Sequence, residues 1–252
     1  MALLEAEGIC KRFGGIAALT DVGLSADAHE IVGLIGPNGA GKTTLFNCLF
    51  GLERPDRGRV VFDGHLLDGL PVHRRVRLGI ARTFQRMELF AEMTVREHLL
   101  AAERSRGRGG SLWRDLCNMG APTAAERALV DELLEMLDIT EIADRPAESL
   151  SLGHGRLVEL GRALAIQPKL MMLDEPSSGL DRAETAALGA MLVRVVAERG
   201  TGVLLVEHDL ELVRDVTSRL YVLNFGELVI SGTTTDVVEH PSFRRAYLGQ
   251  TK

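Results

Sequence analysis

The chain has 252 residues, a length that suits one large domain or a domain with a lobe inserted in it. Hydrophobic residues make up 46% of it, so a sizeable core is available, and the net charge of −6 argues against general nucleic-acid binding through a basic surface. The three cysteines, Cys10, Cys48 and Cys117, form no Cys-x-x-Cys pair, which argues against a disulfide framework or a zinc site and favours a reducing cytoplasm. The first residues lack the layout of a secretory signal, and no apolar run approaches the ~20 residues that a membrane-spanning helix needs. A role at a membrane would therefore require docking onto another chain that crosses it.

The first predicted element is a buried strand that leads into a glycine-rich loop. Glu30–Ile35 is a short apolar run that ends at Gly36, a pattern typical of a buried parallel strand. The loop GPNGAGKTT follows, and a helix is predicted over Thr44–Phe50. Another strand is predicted over Gly58–Asp63.

The glycine-rich loop matches the pattern GxxxxGK[ST] in full. Its glycines allow backbone conformations that turn successive N–H groups inward, and these groups form a phosphate nest with the helix N-terminus. Lys42 would place its charge near the β- and γ-phosphates, and the Thr43 hydroxyl could bind Mg²⁺. A purely structural glycine turn is disfavoured because the strand, the Lys-Thr pair and the helix occur together. The predicted nucleotide-binding residues of this loop are Gly36, Asn38, Gly39, Ala40, Gly41, Lys42, Thr43 and Thr44.

The middle of the chain, from about residue 86 to residue 167, has helical character. Glu126–Leu137 places apolar residues at three- and four-residue spacing. Residues 103–122 break this pattern, because they are rich in Arg and Gly and contain Trp113. Two interpretations stay open for them: a mobile surface loop, or a contact surface whose Leu112 and Trp113 face a partner or lipid headgroups.

The stretch from Leu150 to Asp181 joins a helix start to a strand that ends in two carboxylates. A Ser-x-Gly turn at Ser151 opens the helix, and the apolar run Leu170–Leu173 leads to Asp174 and Glu175. A carboxylate at the C-terminal edge of a strand lies beside the phosphate loop in sheets of this kind. Asp174 would hold Mg²⁺ through water, and Glu175 would lie near the γ-phosphate as a general base for the attacking water. The alternative is a solvated acidic turn.

The last predicted strands return to a buried, apolar pattern. Gly202–Val206 is one of them, and Tyr221–Leu223 with Glu227–Ser231 predicts a hairpin. Strands that alternate with helices indicate an α/β sheet, here with a helical lobe inserted.

These segments together resemble the nucleotide-binding subunit of ATP-binding-cassette (ABC) transporters over nearly the whole chain. The phosphate loop is similar to the family's Walker A motif, and LMMLDE is similar to its Walker B motif. The resemblance implies a P-loop NTPase core with a mixed or parallel sheet flanked by helices, an antiparallel β subdomain and an inserted α-helical subdomain. Residues 1–252 would be one ABC ATPase domain, with the core and β subdomain in residues 1–85 and 168–252 and the helical subdomain in residues 86–167.

The resemblance also implies roles for residues outside the two motifs, with ATP and Mg²⁺ as the cofactors. Gln85, in ARTFQ, matches the Q-loop glutamine, and His208, after GVLLVE, matches the switch histidine. Phe13, in KRFGG, matches the aromatic residue that stacks on adenine, and Asp181 ends the D-loop sequence SGLD. The implied catalytic residues are Lys42, Gln85, Glu175 and His208. The implied metal ligands are Thr43, Gln85 and Asp174.

The segment Ser151-Leu152-Gly153-His154 stands where the family usually has LSGGQ. In the family two subunits pack head to tail, and the signature serine and glycine of one subunit cap the ATP on the phosphate loop of the other. The resemblance implies Ser151 and Gly153 as nucleotide-binding residues and a second ABC subunit, identical or similar, as a partner. A helix N-terminus presents a positive partial charge that suits this role. Leu152 and His154 depart from the pattern: Leu152 is expected to point away and pack, and His154 adds a titratable group.

Within the family, the chain looks most similar to subunits for branched-chain amino acid uptake. GIARTFQRMELFAEMTVREHL, VEHDLELV and SFRRAYLG carry this resemblance, and that branch often lacks the first signature glycine. It implies an importer with transmembrane permease partners, no nucleic acid, and a cytoplasmic subunit held indirectly at the inner face of the cell membrane. Branches for urea or short amides and for lipopolysaccharide extraction stay open, since substrate contacts lie on the permease and binding protein.

Other classes of ATPase fit the sequence less well. A soluble cassette ATPase working on DNA or ribosomes usually carries a long coiled coil or two cassettes, and an ordinary P-loop kinase or GTPase would lack the signature segment. Residues Met87–Thr94 leave two interpretations open. Their apolar side chains suit either a groove that receives a permease helix or packing inside the lobe; these are Met87, Leu89, Phe90 and Met93.

Overall fold

A computed structural model describes residues 2–83, 89–106 and 122–247, and these form two compact units. One unit holds the residues up to Arg82 together with those from Lys169 onward, and the other holds Thr83–Pro168. The domain boundaries predicted at residues 85 and 167 fall close to this division. Gln85, Met87 and the segment with Leu112 and Trp113 lie outside the described residues. No helix within the described ranges is both long enough and apolar enough to cross a membrane.

The described parts of the chain contain both strands and helices. The strands are β1 (Leu4–Phe13), β2 (Ile16–Ala26), β3 (Ile31–Ile35), β4 (Arg57–Phe62), β5 (His65–Leu66), β6 (Ile80–Arg82), β7 (Leu170–Asp174), β8 (Gly202–Val206), β9 (Arg219–Asn224) and β10 (Glu227–Thr233). The helices are α1 (Lys42–Phe50), α2 (Val72–Leu78), α3 (Val95–Arg106), α4 (Ala124–Met136), α5 (Leu152–Ala165), α6 (Arg182–Arg199), α7 (Leu210–Val216), α8 (Thr234–Glu239) and α9 (Pro241–Tyr247).

The first unit contains two sheets. Six strands in the order β10-β9-β3-β8-β7-β6 form the larger sheet, which is parallel except for the β9–β10 hairpin. Four antiparallel strands in the order β2-β1-β4-β5 form the smaller sheet. The predicted α/β core with an antiparallel β subdomain is therefore confirmed. Helix α1 begins at Lys42 rather than at Thr44, so the lysine of the phosphate loop already belongs to the first helical turn.

The larger sheet is covered by apolar side chains on two faces. Strand β3 shows this directly, because successive side chains of a strand point to opposite faces. Val32 and Leu34 belong to a core cluster shared with α1 and the smaller sheet, whereas Ile35 packs with residues of β9, α7, α8 and α9. Burial on both faces explains why β3, β7 and β8 are continuous apolar runs in the sequence.

The second unit is helical, as predicted for this part of the chain. Gly161 of α5 allows a close approach, because a Cβ there would lie 2.9 Å from a methyl of Leu137 and 3.3 Å from one of Leu99 on α3. His98 of α3 is 1% exposed. Its Nε2 accepts a hydrogen bond from the Phe90 N–H at 2.9 Å, so the proton lies on Nδ1, which donates to the Thr94 carbonyl at 2.9 Å. The neutral imidazole therefore fixes the backbone of residues 90–94.

We expect His98 to make stability depend on pH. Burial lowers the pKa of His98; the Thr94 carbonyl and Glu97 oppose this effect, and the charge of Arg162 adds to it. The unfolded chain therefore takes up a proton near the ordinary pKa of about 6.5 before the folded chain does, so stability is lost as the pH falls through that value. The free energy of unfolding falls by about 1.4 kcal/mol for each pKa unit by which folding lowers the pKa of His98. Urea denaturation between about pH 7.5 and 5.5 should show this slope in the wild type and a smaller slope in His98→Asn. Equal slopes would contradict the assignment.

Candidate functional site

The phosphate loop connects β3 to α1 and depends on close backbone approaches. A Cβ on Gly36 would lie 2.1 Å from the Leu223 carbonyl oxygen, and a Cβ on Gly41 would lie 2.7 Å from the Ala18 carbonyl oxygen. Gly41 also has φ of 102°, a left-handed conformation that glycine adopts without strain. Gly36 and Gly41 are therefore required by packing, and they bring the loop to the N-terminus of α1, where the helix dipole favours an anion.

Lys42 is a buried cation at the end of this loop, in the first turn of α1. Its side chain is held back on the loop, where Nζ donates to the Gly36 carbonyl at 2.6 Å and to the Pro37 carbonyl at 3.2 Å. Burial lowers the pKa of Lys42, while the charges of Glu175 and then Asp174 oppose this effect. The ammonium group therefore lies within the field of both predicted carboxylates. Thr43 follows it on the first turn of α1 and is exposed.

Asp174, the last residue of β7, forms a buried ion pair that the sequence did not predict. Arg82, the last residue of β6, donates from Nη2 to Asp174 Oδ2 at 3.1 Å and from Nη1 to Asn47 Oδ1 at 2.7 Å. The side chains of Arg82 and Asp174 are each 5% exposed, and the guanidinium lies 5.6 Å from the ring centre of Phe46. Burial raises the pKa of Asp174, while Arg82 opposes this rise. The arginine thus supports the charged form of the predicted metal ligand.

Removal of Arg82 should be costly, because it leaves a buried carboxylate without its counter-charge. We expect Arg82→Met to lower the free energy of unfolding by about 3–5 kcal/mol, measured by urea denaturation. The double variant Arg82→Met/Asp174→Asn should recover part of this loss, since neither charge then remains buried. A double variant whose loss equals the sum of the two single losses would show that the pair is not coupled.

Glu175 and His208 meet at the C-terminal edge of the larger sheet. Glu175 directly follows β7, and His208 lies two residues beyond the end of the neighbouring strand β8. Glu175 Oε1 and His208 Nε2 are hydrogen-bonded, and the side chains are 19% and 40% exposed. Glu175 has φ of 51°, the left-handed region that a residue with a Cβ rarely occupies. The fold therefore holds a carboxylate and an imidazole together, open to solvent, beside Lys42.

Phe13, the last residue of β1, presents an aromatic ring at the surface of the same unit. The ring is 46% exposed, and Lys11 Nζ lies 5.2 Å from its centre. Lys11 is itself held by Glu53 at 3.4 Å and by the Arg54 carbonyl at 2.8 Å. The ring is thus supported by a cation and keeps surface free for stacking.

Asp181 is engaged in capping a helix. Its Oδ1 accepts the Glu184 N–H at 2.8 Å, and Glu184 returns a bond to the Asp181 N–H at 3.1 Å, which forms a capping box at the start of α6. The structure thus assigns Asp181 a local role, and a nucleotide contact by it stays a prediction.

The signature segment lies in the second unit. Ser151 caps α5, as its Oγ accepts the His154 N–H at 3.3 Å and lies 3.2 Å from His154 Nδ1. The predicted helix start at Ser151 is therefore confirmed. Leu152 is 38% exposed, so the expectation that its side chain packs is not met in the single chain. Ser151 and Gly153 thus stand at the N-terminus of a 14-residue helix, next to an exposed leucine.

The first unit therefore brings together most of the predicted site, and the donor set fits Mg²⁺. This unit holds Lys42, Thr43, Asp174, Glu175 and His208, whereas Gln85 lies outside the described residues. The Thr43 hydroxyl and Asp174 carboxylate are the hard oxygen ligands that Mg²⁺ prefers. Mg²⁺ is usually held by one or two carboxylates together with substrate phosphates, and the adjacent phosphate loop would supply that second part.

Comparisons with known proteins show which proteins the chain is similar to. The family model described as ABC transporter matches residues 19–178. The chain is 40% identical to the high-affinity branched-chain amino acid transport ATP-binding protein LivG of Salmonella typhimurium, over 98% of both chains. It is 36% identical to the lipopolysaccharide export system ATP-binding protein LptB of Haemophilus influenzae, over 99% of this chain and 98% of that one. The solved structure of MJ1267 in its ADP conformation, an ATP-binding cassette of an ABC transporter, superposes with a TM-score of 0.85 at 32% identity, covering 99% of this chain and 100% of that one.

Proposed function

Because the chain belongs to the ABC transporter family, as an ATP-binding subunit that hydrolyses ATP, we propose that it powers the uptake of branched-chain amino acids. The observation that carries this proposal is the 40% identity to LivG along 98% of the chain. Similarity to LptB is lower, at 36%, and supports lipopolysaccharide export as the second candidate. Subunits of this family work with permease components.

ATP is proposed to bind with its phosphates on the loop between β3 and α1. Lys42 would then turn from the Gly36 and Pro37 carbonyls toward the β- and γ-phosphates, since an anion compensates its burial better than two carbonyls do. Phe13 would stack on the adenine ring with the face that Lys11 leaves free. Thr43 and Asp174, with Gln85 as predicted, would hold Mg²⁺, which when bound neutralises charge on the phosphate oxygens.

Glu175 and His208 are proposed to carry the hydrolytic step. Glu175 orients the attacking water and accepts its proton, which a carboxylate at the end of β7 can do because 19% of its side chain stays open to solvent. His208 holds Glu175 through Nε2 and can donate to the γ-phosphate when that contact opens. Lys42 stabilises the charge that develops on the transferred group.

The cap on the γ-phosphate is proposed to come from a second subunit. Ser151 and Gly153 at the N-terminus of α5 offer a hydroxyl, backbone N–H groups and a positive helix end, which suit a phosphate. A head-to-tail pair, formed with an identical or a similar ABC subunit, would bring this cap to the partner's ATP. Hydrolysis would remove the bridging phosphate and let the pair open. The permease would hold the subunit at the cytoplasmic face of the membrane, with no nucleic acid involved.

Transport assays in the source organism test the proposed substrate. Uptake of labelled leucine, isoleucine and valine should fall to background in cells that lack this chain. The wild-type chain should restore uptake, and the Glu175→Gln variant, which keeps the fold but lacks the general base, should not. Unchanged uptake together with loss of lipopolysaccharide from the cell surface would overturn the proposal in favour of the LptB-like function.

A further inference from the structure

Glu207 is a buried carboxylate that neither ATP binding nor the proposed hydrolytic step uses. It directly follows β8, precedes His208, and is 2% exposed. A carboxylate is rarely buried to this extent, and its burial is unfavourable unless hydrogen bonds replace the lost water. Glu207 makes two such bonds to backbone groups: Oε1 accepts the Ser177 N–H at 2.9 Å, and Oε2 accepts the His208 N–H at 3.0 Å.

These two bonds connect the backbone segments that carry the proposed catalytic groups. The Ser177 N–H belongs to the turn that begins at Glu175, where the Ser178 N–H also bonds the Glu175 carbonyl at 3.1 Å. At the start of the same turn, the Glu175 N–H bonds the Val206 carbonyl of β8 at 2.9 Å. The end of β8 thus holds the turn at two points, through a backbone carbonyl and through the Glu207 side chain.

The turn needs such support, because its conformation is intrinsically unfavourable. Glu175 has φ of 51°, which a residue with a Cβ keeps only where the surrounding contacts enforce it. Relaxation of this residue toward ordinary φ values would swing its side chain away from His208. The geometry of the hydrogen bond between Glu175 and His208 therefore depends on the positions of the two backbone segments that Glu207 joins.

We infer that Glu207 is a positioning residue for ATP hydrolysis, which sets the placement of Glu175 relative to His208 by bridging the Ser177 and His208 backbones. This inference rests on the roles proposed above for Glu175 and His208. The inference also predicts that a change at Glu207 affects ATP turnover but not ATP binding. The contacts of Lys42 on the phosphate loop are made with Gly36 and Pro37, so loosening of the Glu175 turn leaves ATP binding intact and slows turnover.

The test compares two variants of Glu207 with a matched carboxylate elsewhere in the full chain. Glutamine keeps the size of Glu207, but its amide can accept only one of the two N–H bonds, whereas alanine loses both. We expect kcat for ATP to fall about 10-fold in Glu207→Gln and up to about 100-fold in Glu207→Ala, with KM within about twofold of the wild type. The control is Glu30→Gln. Glu30 directly precedes β3, at the opposite edge of the sheet, where it accepts the Asp27 N–H at 2.6 Å and pairs with Arg219. Glu30→Gln should lower Tm and leave kcat unchanged.

The inference is supported if the Glu207 variants lose kcat while KM stays unchanged. Their fall in kcat must exceed that of Glu30→Gln at a similar loss of Tm. Values of kcat in both Glu207 variants within about twofold of the wild type overturn it, as does a rise in KM that accounts for the whole loss of activity. Should Glu207→Ala fail to fold, Glu207→Gln decides alone, since it adds no cavity. Failure of the underlying site is recognised separately, because Glu175→Gln would then keep wild-type turnover whatever the Glu207 variants do.

Discussion

Glu175→Gln is expected to reduce ATP turnover at least about 100-fold while ATP still binds with nearly wild-type affinity. Glutamine has the shape of glutamate and can keep a hydrogen bond to His208, but it cannot take up the proton of the attacking water. Lys42 and the phosphate loop are unchanged, so the binding of a fluorescent ATP analogue should be retained. With hydrolysis blocked, ATP should accumulate in the closed pair, and size-exclusion chromatography with ATP should show more dimer than for the wild type.

A matched surface carboxylate separates this effect from a general loss of charge. Glu211 lies on α7 close in sequence to His208, is 63% exposed on its side chain and pairs with Arg182. Glu211→Gln should leave turnover within about twofold of the wild type, since exposed ion pairs contribute little. Wild-type turnover in Glu175→Gln would exclude Glu175 as the general base and would point to another group, or to the phosphate itself, as the acceptor of the proton.

Sequence reasoning predicted the parts of the site in which chemistry and local structure depend on the same few residues. The loop from Gly36 to Thr43 is one case. Its first and last glycines are needed both for the close approach to Leu223 and Ala18 and for the phosphate nest. The apolar runs of β7 and β8 are another, since burial on both faces leaves a signal that ends where the polar site residues begin. The fold class follows from these same runs.

The residues that sequence reasoning missed act through contacts between distant segments. Arg82 ends a strand of three residues, too short for any periodicity, and its partner Asp174 lies 92 positions away. Glu207 reads as the first polar residue after an apolar strand, and nothing nearby reveals that Ser177 meets it. Strand β1 was missed for a local reason: register shifts between Ala6 and Ile9 break the period of two that marks a half-buried strand.

Lys42→Met is expected to weaken ATP binding by about 10- to 100-fold, the loss that follows from removing a charged hydrogen-bond donor to phosphate. The same variant should not destabilise the nucleotide-free chain by more than about 1 kcal/mol, and it can stabilise it. Burial lowers the pKa of Lys42, which means that the folded protein disfavours the charged amine, and methionine fills a similar volume without that penalty. Loss of ligand affinity without loss of stability is the signature of a residue kept for binding.

The surface lysine Lys169 provides the control for this argument. Its Nζ pairs with Asp63 at 2.5 Å, and its side chain is 55% exposed, so Lys169→Met removes the same charge without touching the phosphate loop. Titration with a fluorescent ATP analogue should show unchanged affinity for Lys169→Met, and urea denaturation should show similar stability for both variants. If Lys42→Met bound ATP as well as Lys169→Met does, the loop between β3 and α1 would not be the phosphate site. If it lost affinity and stability together, Lys42 would act mainly by holding the Gly36 and Pro37 carbonyls in place, and its contact with phosphate would be secondary.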